Sequence, residues 1–191
     1  SGLVPLERKA TESVMLASAT ELLITESKSP IRIIGERINP TGKKKLQAEL
    51  KAGNMGYVRQ LARDQAAAGA DLLDLNAGMP GIDEKETLLD IISTVVPAVN
   101  LPLVIDSSDP DVVEAAVRFY PGRALINSIS AEKEKLSRLL PVAARYGAML
   151  VVLPIADNEL PDKAERRKEL VTDIAAAAEK YGYRRRDIVV D

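Results

Sequence analysis

From Ile31 to Asp191, short apolar runs alternate with longer amphipathic stretches, and this alternation narrows the fold more than any other feature of the chain. The apolar runs are Ile31–Ile34, Leu72–Leu75, Leu103–Ile105, Ala124–Ile126, Met149–Leu153 and Ile188–Val190. Stretches of helical period lie between them, around Met55–Gly69, Glu84–Val96, Asp111–Phe119, Glu132–Tyr146 and Lys163–Tyr181. Six strands separated by five helices of this length predict an α/β fold with a parallel sheet and right-handed crossovers. The helix boundaries are chemically marked. Asp109-Pro110 supplies a cap followed by proline at the first helical position, and Asp83 with Glu86 has the spacing of a capping box. Gly147 and Gly182 suit helix C-termini.

Residues 1–30 have a different character. Ser, Thr and Glu are interspersed with short apolar pieces, Val14-Met15-Leu16 and Leu22-Leu23-Ile24, without a sustained helical period. This segment reads as an inter-domain linker or an N-terminal hairpin, with the α/β domain spanning 31–191.

The 191 residues suffice for one domain with its own core, and 46% are hydrophobic against 28% charged. A net charge of −2 gives no basic excess for nucleic acid, and 3% aromatics leave few platforms for base stacking. No apolar run reaches membrane-spanning length and no leader pattern opens the sequence, so a cytoplasmic location is expected. The chain contains no Cys and no His. Thiolate and imidazole metal sites, a cysteine nucleophile, a Ser-His-Asp triad and a histidine base are therefore excluded from it. Chemistry falls to carboxylates, amides, hydroxyls, Lys and Arg.

Those groups collect where the strands end. Glu36 and Asn39 follow the first run, Asp74 and Asn76 close the second, and Asp106 follows the third. Asn127 follows the fourth, and Asp191 ends the sixth. Parallel strands bring such positions to one rim, the edge where α/β folds bind ligands. Capping the next helix is the plainer role for some of them. It does not suit Asp106, because Asp109 already occupies the cap. Asp74 lies within an apolar run, so it is either paired or turned toward the mouth, and a structural hydrogen bond across the sheet is an equal alternative. A rim of carboxylates and amides suits a heterocycle that displays N–H donors beside carbonyl acceptors, as pterins and guanine do.

The segments GERINPTGKK (Gly35–Lys44), LLDLNAG (Leu72–Gly78), PLVIDSS (Pro102–Ser108), YPGRALINS (Tyr120–Ser128) and the final DIVVD together resemble the pterin-binding methyltransferase family. The resemblance implies a dihydropteroate-synthase-like (β/α)8 barrel of TIM type, here truncated after its sixth strand. Within the family the chain looks most like the methyltetrahydrofolate-binding domain of cobalamin-dependent methionine synthases. By that resemblance Asp106, Asn127 and Asp191 hold the pterin ring, with Asp74 and Asn76 beside them. Glu36 and Asn39 would lie near the reacting part of the folate. Arg37 would be structural, paired with a rim acid. Lys43–Lys45 reads as a solvated helix start, with the glutamate tail of the folate or a partner as the alternative.

The implied reaction moves the N5 methyl of 5-methyltetrahydrofolate to the Co(I) of a corrinoid. A chain without His has no cobalamin-ligand motif, so the corrinoid must come from another module or protein. A homocysteine-binding domain would stand N-terminal in a longer chain. The alternatives are a stand-alone methyltetrahydrofolate:corrinoid protein methyltransferase, a pterin-binding module with no activity of its own, and an open doubly wound domain with an unrelated ligand. The family's seventh strand brings an Asn to N5, and that residue has no counterpart here.

Overall fold

The strand order decides between an open and a barrel-type sheet. In the computed structural model, which describes residues 13–26, 28–156, 159 and 161–191, six parallel strands run in unbroken sequence order. They are β3 (Ile34–Ile38), β4 (Leu72–Asn76), β5 (Leu103–Asp106), β6 (Leu125–Ile129), β7 (Met149–Val152) and β8 (Ile188–Val190). Doubly wound sheets reverse their order at a switch point and carry helices on both faces. This sheet never reverses, so every right-handed crossover places its helix on the same face, as in a barrel.

The two faces bury separate clusters. Leu73, Leu75, Leu103, Ile105, Ile126 and Leu150 point outward into the main core, against the helices that follow each strand. These are α2 (Gly56–Ala67), α3 (Glu84–Val95), α4 (Pro110–Phe119), α5 (Lys133–Tyr146) and α6 (Ala164–Glu179). The alternate residues Leu72, Val104, Leu125, Met149 and Val151 point inward and form a second cluster. Strand alternation thus divides each apolar run between the two cores. Full burial of each such side chain contributes about 1.5–3 kcal/mol.

The helix boundaries match their sequence signals. Asp83 accepts the Glu86 N–H at 2.9 Å at the start of α3, and Asp109 accepts the Asp111 N–H at 2.8 Å with Pro110 opening α4. Gly147 ends α5 in the left-handed region, at φ 68°. The helix start at Lys43–Lys45 opens a separate short helix between the first two strands, α1 (Lys44–Lys51), built from good helix formers and joined to α2 through Gly53 at φ 67°.

The first strand lies later than its isoleucines suggest. Ile31 and Ile33 are 92% and 55% exposed, and the strand begins only at Ile34. The preceding residues are tied elsewhere. The Asp71 carboxylate accepts from the Arg32 guanidinium at 2.9 Å and from the Ile33 N–H at 2.8 Å. The buried apolar anchor is Ile38, and a register shift against β4 between Gly35 and Ile38 accommodates Glu36 and Arg37. Glu36 therefore sits within the strand rather than beyond it.

Residues 14–25 form an antiparallel hairpin, β1 (Val14–Ala17) and β2 (Leu22–Thr25). Leu16 is buried in the inward-facing cluster, so the hairpin closes the N-terminal end of the sheet's interior. Polar clasps hold it. Arg123 donates to the carbonyls of Met15 and Gly147 and forms an ion pair with Asp187 at 2.8 Å. The Tyr120 hydroxyl donates to the Ala17 carbonyl at 2.9 Å and accepts the Leu103 N–H at 3.2 Å. Gly122 is required at this junction, because a Cβ there would lie well inside van der Waals contact with the Ala17 carbonyl and the Tyr120 ring. Gly122→Ala is expected to cost about 1–3 kcal/mol through overpacking. The melting temperature should fall by about 2–12 °C at roughly 2–4 °C per kcal/mol. A thermal melt within a degree of the parent would show that the hairpin is not clasped here.

Candidate functional site

The C-terminal ends of β3 to β6 gather carboxylates and amides into one connected group. Register aligns Asn76, Asp106 and Asn127 across β4, β5 and β6. Asn76 Nδ2 donates to Asp106 Oδ2 at 2.8 Å, while its own Oδ1 accepts the Gly78 N–H at 2.7 Å and fixes the side chain. Asn127 Nδ2 reaches past β5 to donate to Asp74 Oδ2 at 3.1 Å. Asp74 is only 2% exposed, and its Oδ1 is buried without a hydrogen-bond partner. Asp74 makes the structural hydrogen bond across the sheet, and its other oxygen stays an unsatisfied acceptor in the interior.

The electrostatics follow from this crowding. Burial pushes the Asp74 carboxyl up to about 7, opposed by the Asn127 hydrogen bond and reinforced by the charges of Asp106 and Glu36. Burial likewise raises Asp106, against the Asn76 hydrogen bond and with the charges of Glu36 and Glu84. A buried acceptor that lacks a donor is costly unless something supplies one. Asp74, with its unsatisfied Oδ1, is the group to which this applies. Among the described residues no three His, Cys, Asp or Glu side chains gather closely enough to hold a metal ion.

Glu36, within β3, and Asn39, in the loop that follows it, lie beside the group. Asn39 Oδ1 accepts the Thr41 N–H at 2.9 Å, and its Nδ2 lies 3.4 Å from Glu36 Oε1. Asp191 stands apart. Its N–H bonds the Val152 carbonyl at 3.1 Å, which sets it level with Leu153, and its side chain is exposed. Arg37 is corrected: it forms no ion pair with a rim acid among the described residues. Its side chain is exposed, and its N–H is held by Gln65 Oε1 at 2.7 Å.

A cleft of about 240 Å³ opens in front of Asp106 and Asn127, floored by Leu153 and Ile155 and edged by serines and Lys135. The serines were missed as site residues, although three of the four, all but Ser130, come within two residues after a site residue in the sequence. Ser107 and Ser108 come after Asp106, and Ser128 after Asn127. Ser107 is oriented by its bond to Glu84, an interaction no local pattern announces. Whole small-molecule sites usually occupy about 300–1,000 Å³. This cleft is of the size of a bicyclic ring and is open to solvent.

The chain spans a minority to about two thirds of the length of the proteins it matches. Methionine synthase of Mycobacterium leprae is 28% identical over 203 residues, covering 100% of this chain and 16% of that protein. Methylcorrinoid:tetrahydrofolate methyltransferase of Eubacterium limosum is 32% identical over 164 residues, covering 83% of this chain and 59% of that protein. Among solved structures, dihydropteroate synthase of Xanthomonas albilineans with 4-aminobenzoic acid superposes with a TM-score of 0.70 at 22% identity, over 94% of this chain and 64% of that one. The Thermus thermophilus dihydropteroate synthase gives 0.64 at 22% identity, over 93% and 64%. These structures share the barrel fold. The sequence of the family described as pterin binding enzymes matches residues 35–191, from the strand bearing Glu36 to Asp191, and the chain belongs to that family.

Proposed function

We propose that the chain binds 5-methyltetrahydrofolate and passes its N5 methyl group to a corrinoid carried by another module or protein. The observation that carries this reading is the buried acid–amide group of Asp74, Asn76, Asp106 and Asn127, with its unsatisfied acceptor at Asp74 Oδ1. A pterin's amidine-like edge offers parallel N–H donors that a carboxylate accepts in pairs, beside a carbonyl that an amide can serve. In this reading Asp106 and Asn127 grip the ring in the cleft and Asp191 closes on it from β8. Asp74 and Asn76 set the shape and protonation of the grip. Glu36 and Asn39 border the reacting side.

The corrinoid, when docked, supplies the Co(I) nucleophile that takes the methyl. An amine leaves poorly, and N5 keeps the bonding pair, so a proton or hydrogen bond must reach it as the bond breaks. Asp74, raised by burial to about 7, still carries a proton through part of the neutral range and suits that need. The rest of the work is holding two large partners in line. In a longer protein, residues 1–30 would link this domain to a homocysteine-binding one, and the whole would work in the cytoplasm.

A second reading reverses the direction. The Eubacterium limosum relative is named for transfer from methylcorrinoid to tetrahydrofolate, and the same site serves both directions by microscopic reversibility. Calorimetric titration with 5-methyltetrahydrofolate and tetrahydrofolate, followed by single-turnover transfer to and from cobalamin, tests both. Micromolar binding of either folate is expected. A chain that binds neither is not a folate-dependent methyltransferase domain.

A further inference from the structure

We propose that Gln65 is a positioning residue: its buried side-chain amide holds a bulge in β3 that aims Glu36 into the acid–amide group. The role of Glu36 beside the folate rests on the pterin reading, whereas its placement does not. In a regular strand, residues two apart point to the same face. Glu36 and Ile38 break that rule. Ile38 is fully buried in the main core, against the helices. Glu36 bears on the opposite face, where its charge reaches Asp74 and Asp106. One extra residue in the strand reconciles the two, and the register against β4 does shift between Gly35 and Ile38. Arg37 is that residue. It lines an outer cleft with Tyr57 and Leu61 of α2, on the same side as Ile38.

A bulge takes a backbone group out of the ladder, and that group must be satisfied elsewhere. The Arg37 N–H goes to Gln65 Oε1 at 2.7 Å. Gln65 is buried on α2 and is itself fixed, its Nε2 donating to the Leu61 carbonyl at 3.2 Å. A polar side chain this deep is costly unless paired, and this pairing reaches the strand rather than another side chain. Gly35 belongs to the same device. A Cβ there would lie 2.7 Å from Gln65 Oε1 and 3.2 Å from a Leu73 methyl, so an alanine would push the amide off Arg37. Glu36 is pinned from its other side too. Its carbonyl accepts from Lys43 Nζ at 3.1 Å, and Asn39 Nδ2 lies 3.4 Å from its Oε1. Without the Gln65 acceptor the Arg37 N–H has no partner, and the strand regains one by slipping a residue, which carries Glu36 to the other face.

The test uses the chain labelled with carboxyl carbon-13 aspartate, the Asp74 resonance being identified by its loss in Asp74→Asn. The charges felt at Asp74 are those of Asp106, Glu36 and Lys43, so its titration midpoint reports where Glu36 lies. Glu36→Gln should lower the midpoint by about half a pH unit, the size expected of one nearby charge in partly solvated surroundings. Gln65→Met, which keeps the length and removes the acceptor, should lower it equally, and so should Gly35→Ala. Adding Glu36→Gln to Gln65→Met should lower it no further, because both act through one carboxylate. An unchanged midpoint in folded Gln65→Met, or falls that add in the double variant, overturns the inference. Single-turnover transfer from 5-methyltetrahydrofolate to cobalamin should drop by about tenfold to a hundredfold in each single variant, the scale of a displaced group, and hardly further in the double. Lowered midpoints with transfer at the parent rate support the positioning and remove Glu36 from the reaction. Lowered midpoints in a chain that binds no folate also support it, and sink the pterin reading.

Discussion

Unfolding free energy is expected to fall as pH rises from about 4 to about 7, and Asp74→Asn should remove most of that slope. Asp74 sits at its ordinary 3.8 when unfolded and at about 7 when folded, raised first by burial. Between those values the folded chain holds a proton that the unfolded chain has released. Stability therefore decreases with rising pH across this window and levels off above it. The whole span is worth on the order of 4 kcal/mol at about 1.36 kcal/mol per pKa unit. Asp106 is raised by the same cause and acts in the same direction. Asp71 acts in the opposite sense. Its carboxyl is lowered by the Ile33 hydrogen bond and by Arg32, so its contribution is lost only at more acid pH. Urea midpoints from pH 4.5 to 8, for the parent and for Asp74→Asn, measure the effect. A flat parent profile, or a slope unchanged in the variant, would show that Asp74 does not carry the titration.

Asp106→Asn should weaken 5-methyltetrahydrofolate at least about tenfold while leaving the fold intact. The carboxylate has one oxygen engaged by Asn76 and the other free toward the cleft. An amide in its place must turn an NH2 either toward the Asn76 donor or toward the ligand's own N–H groups. Hydrogen bonds to charged partners are worth about 1.5–3 kcal/mol. At about 1.4 kcal/mol per decade, that is one to two decades of affinity. Stability should stay level or rise, because the substitution removes a carboxyl that burial disfavours. Affinity unchanged in a variant that melts normally would take Asp106 out of the site.

Much of this was legible in the chain because it is local. The apolar runs at Leu72, Leu103 and Ile188 mark strands within a residue of where they lie, and Asp109-Pro110 opens its helix as its chemistry dictates. The first strand was misplaced because Ile31, Ile33 and Ile34 look like a buried run, yet Ile38 is the residue its neighbour buries. What could not be read is long-range. Asn127 and Asp74 are 53 residues apart and Asn76 and Asp106 are 30 apart, so the burial that raises these carboxyls, and the amide hydrogen bonds that oppose it, exist only once the sheet forms. The exposure of Arg37 is of the same kind. A cation beside a rim of acids looks paired until its backbone is placed.

The hairpin at the start of the chain has a temporal consequence. Its clasps span 103 residues from Ala17 to Tyr120 and 108 from Met15 to Arg123. On a ribosome adding about 5–20 residues per second, the hairpin would emerge roughly 5–20 s before its seat is synthesised. Leu16 and Leu23, which finish against Leu125 and Met149, spend that interval without their partners. Contacts this distant in sequence close slowly even in a complete chain. Docking of the hairpin is thus a late event in folding, and a segment made well before its seat is the one that waits to be buried.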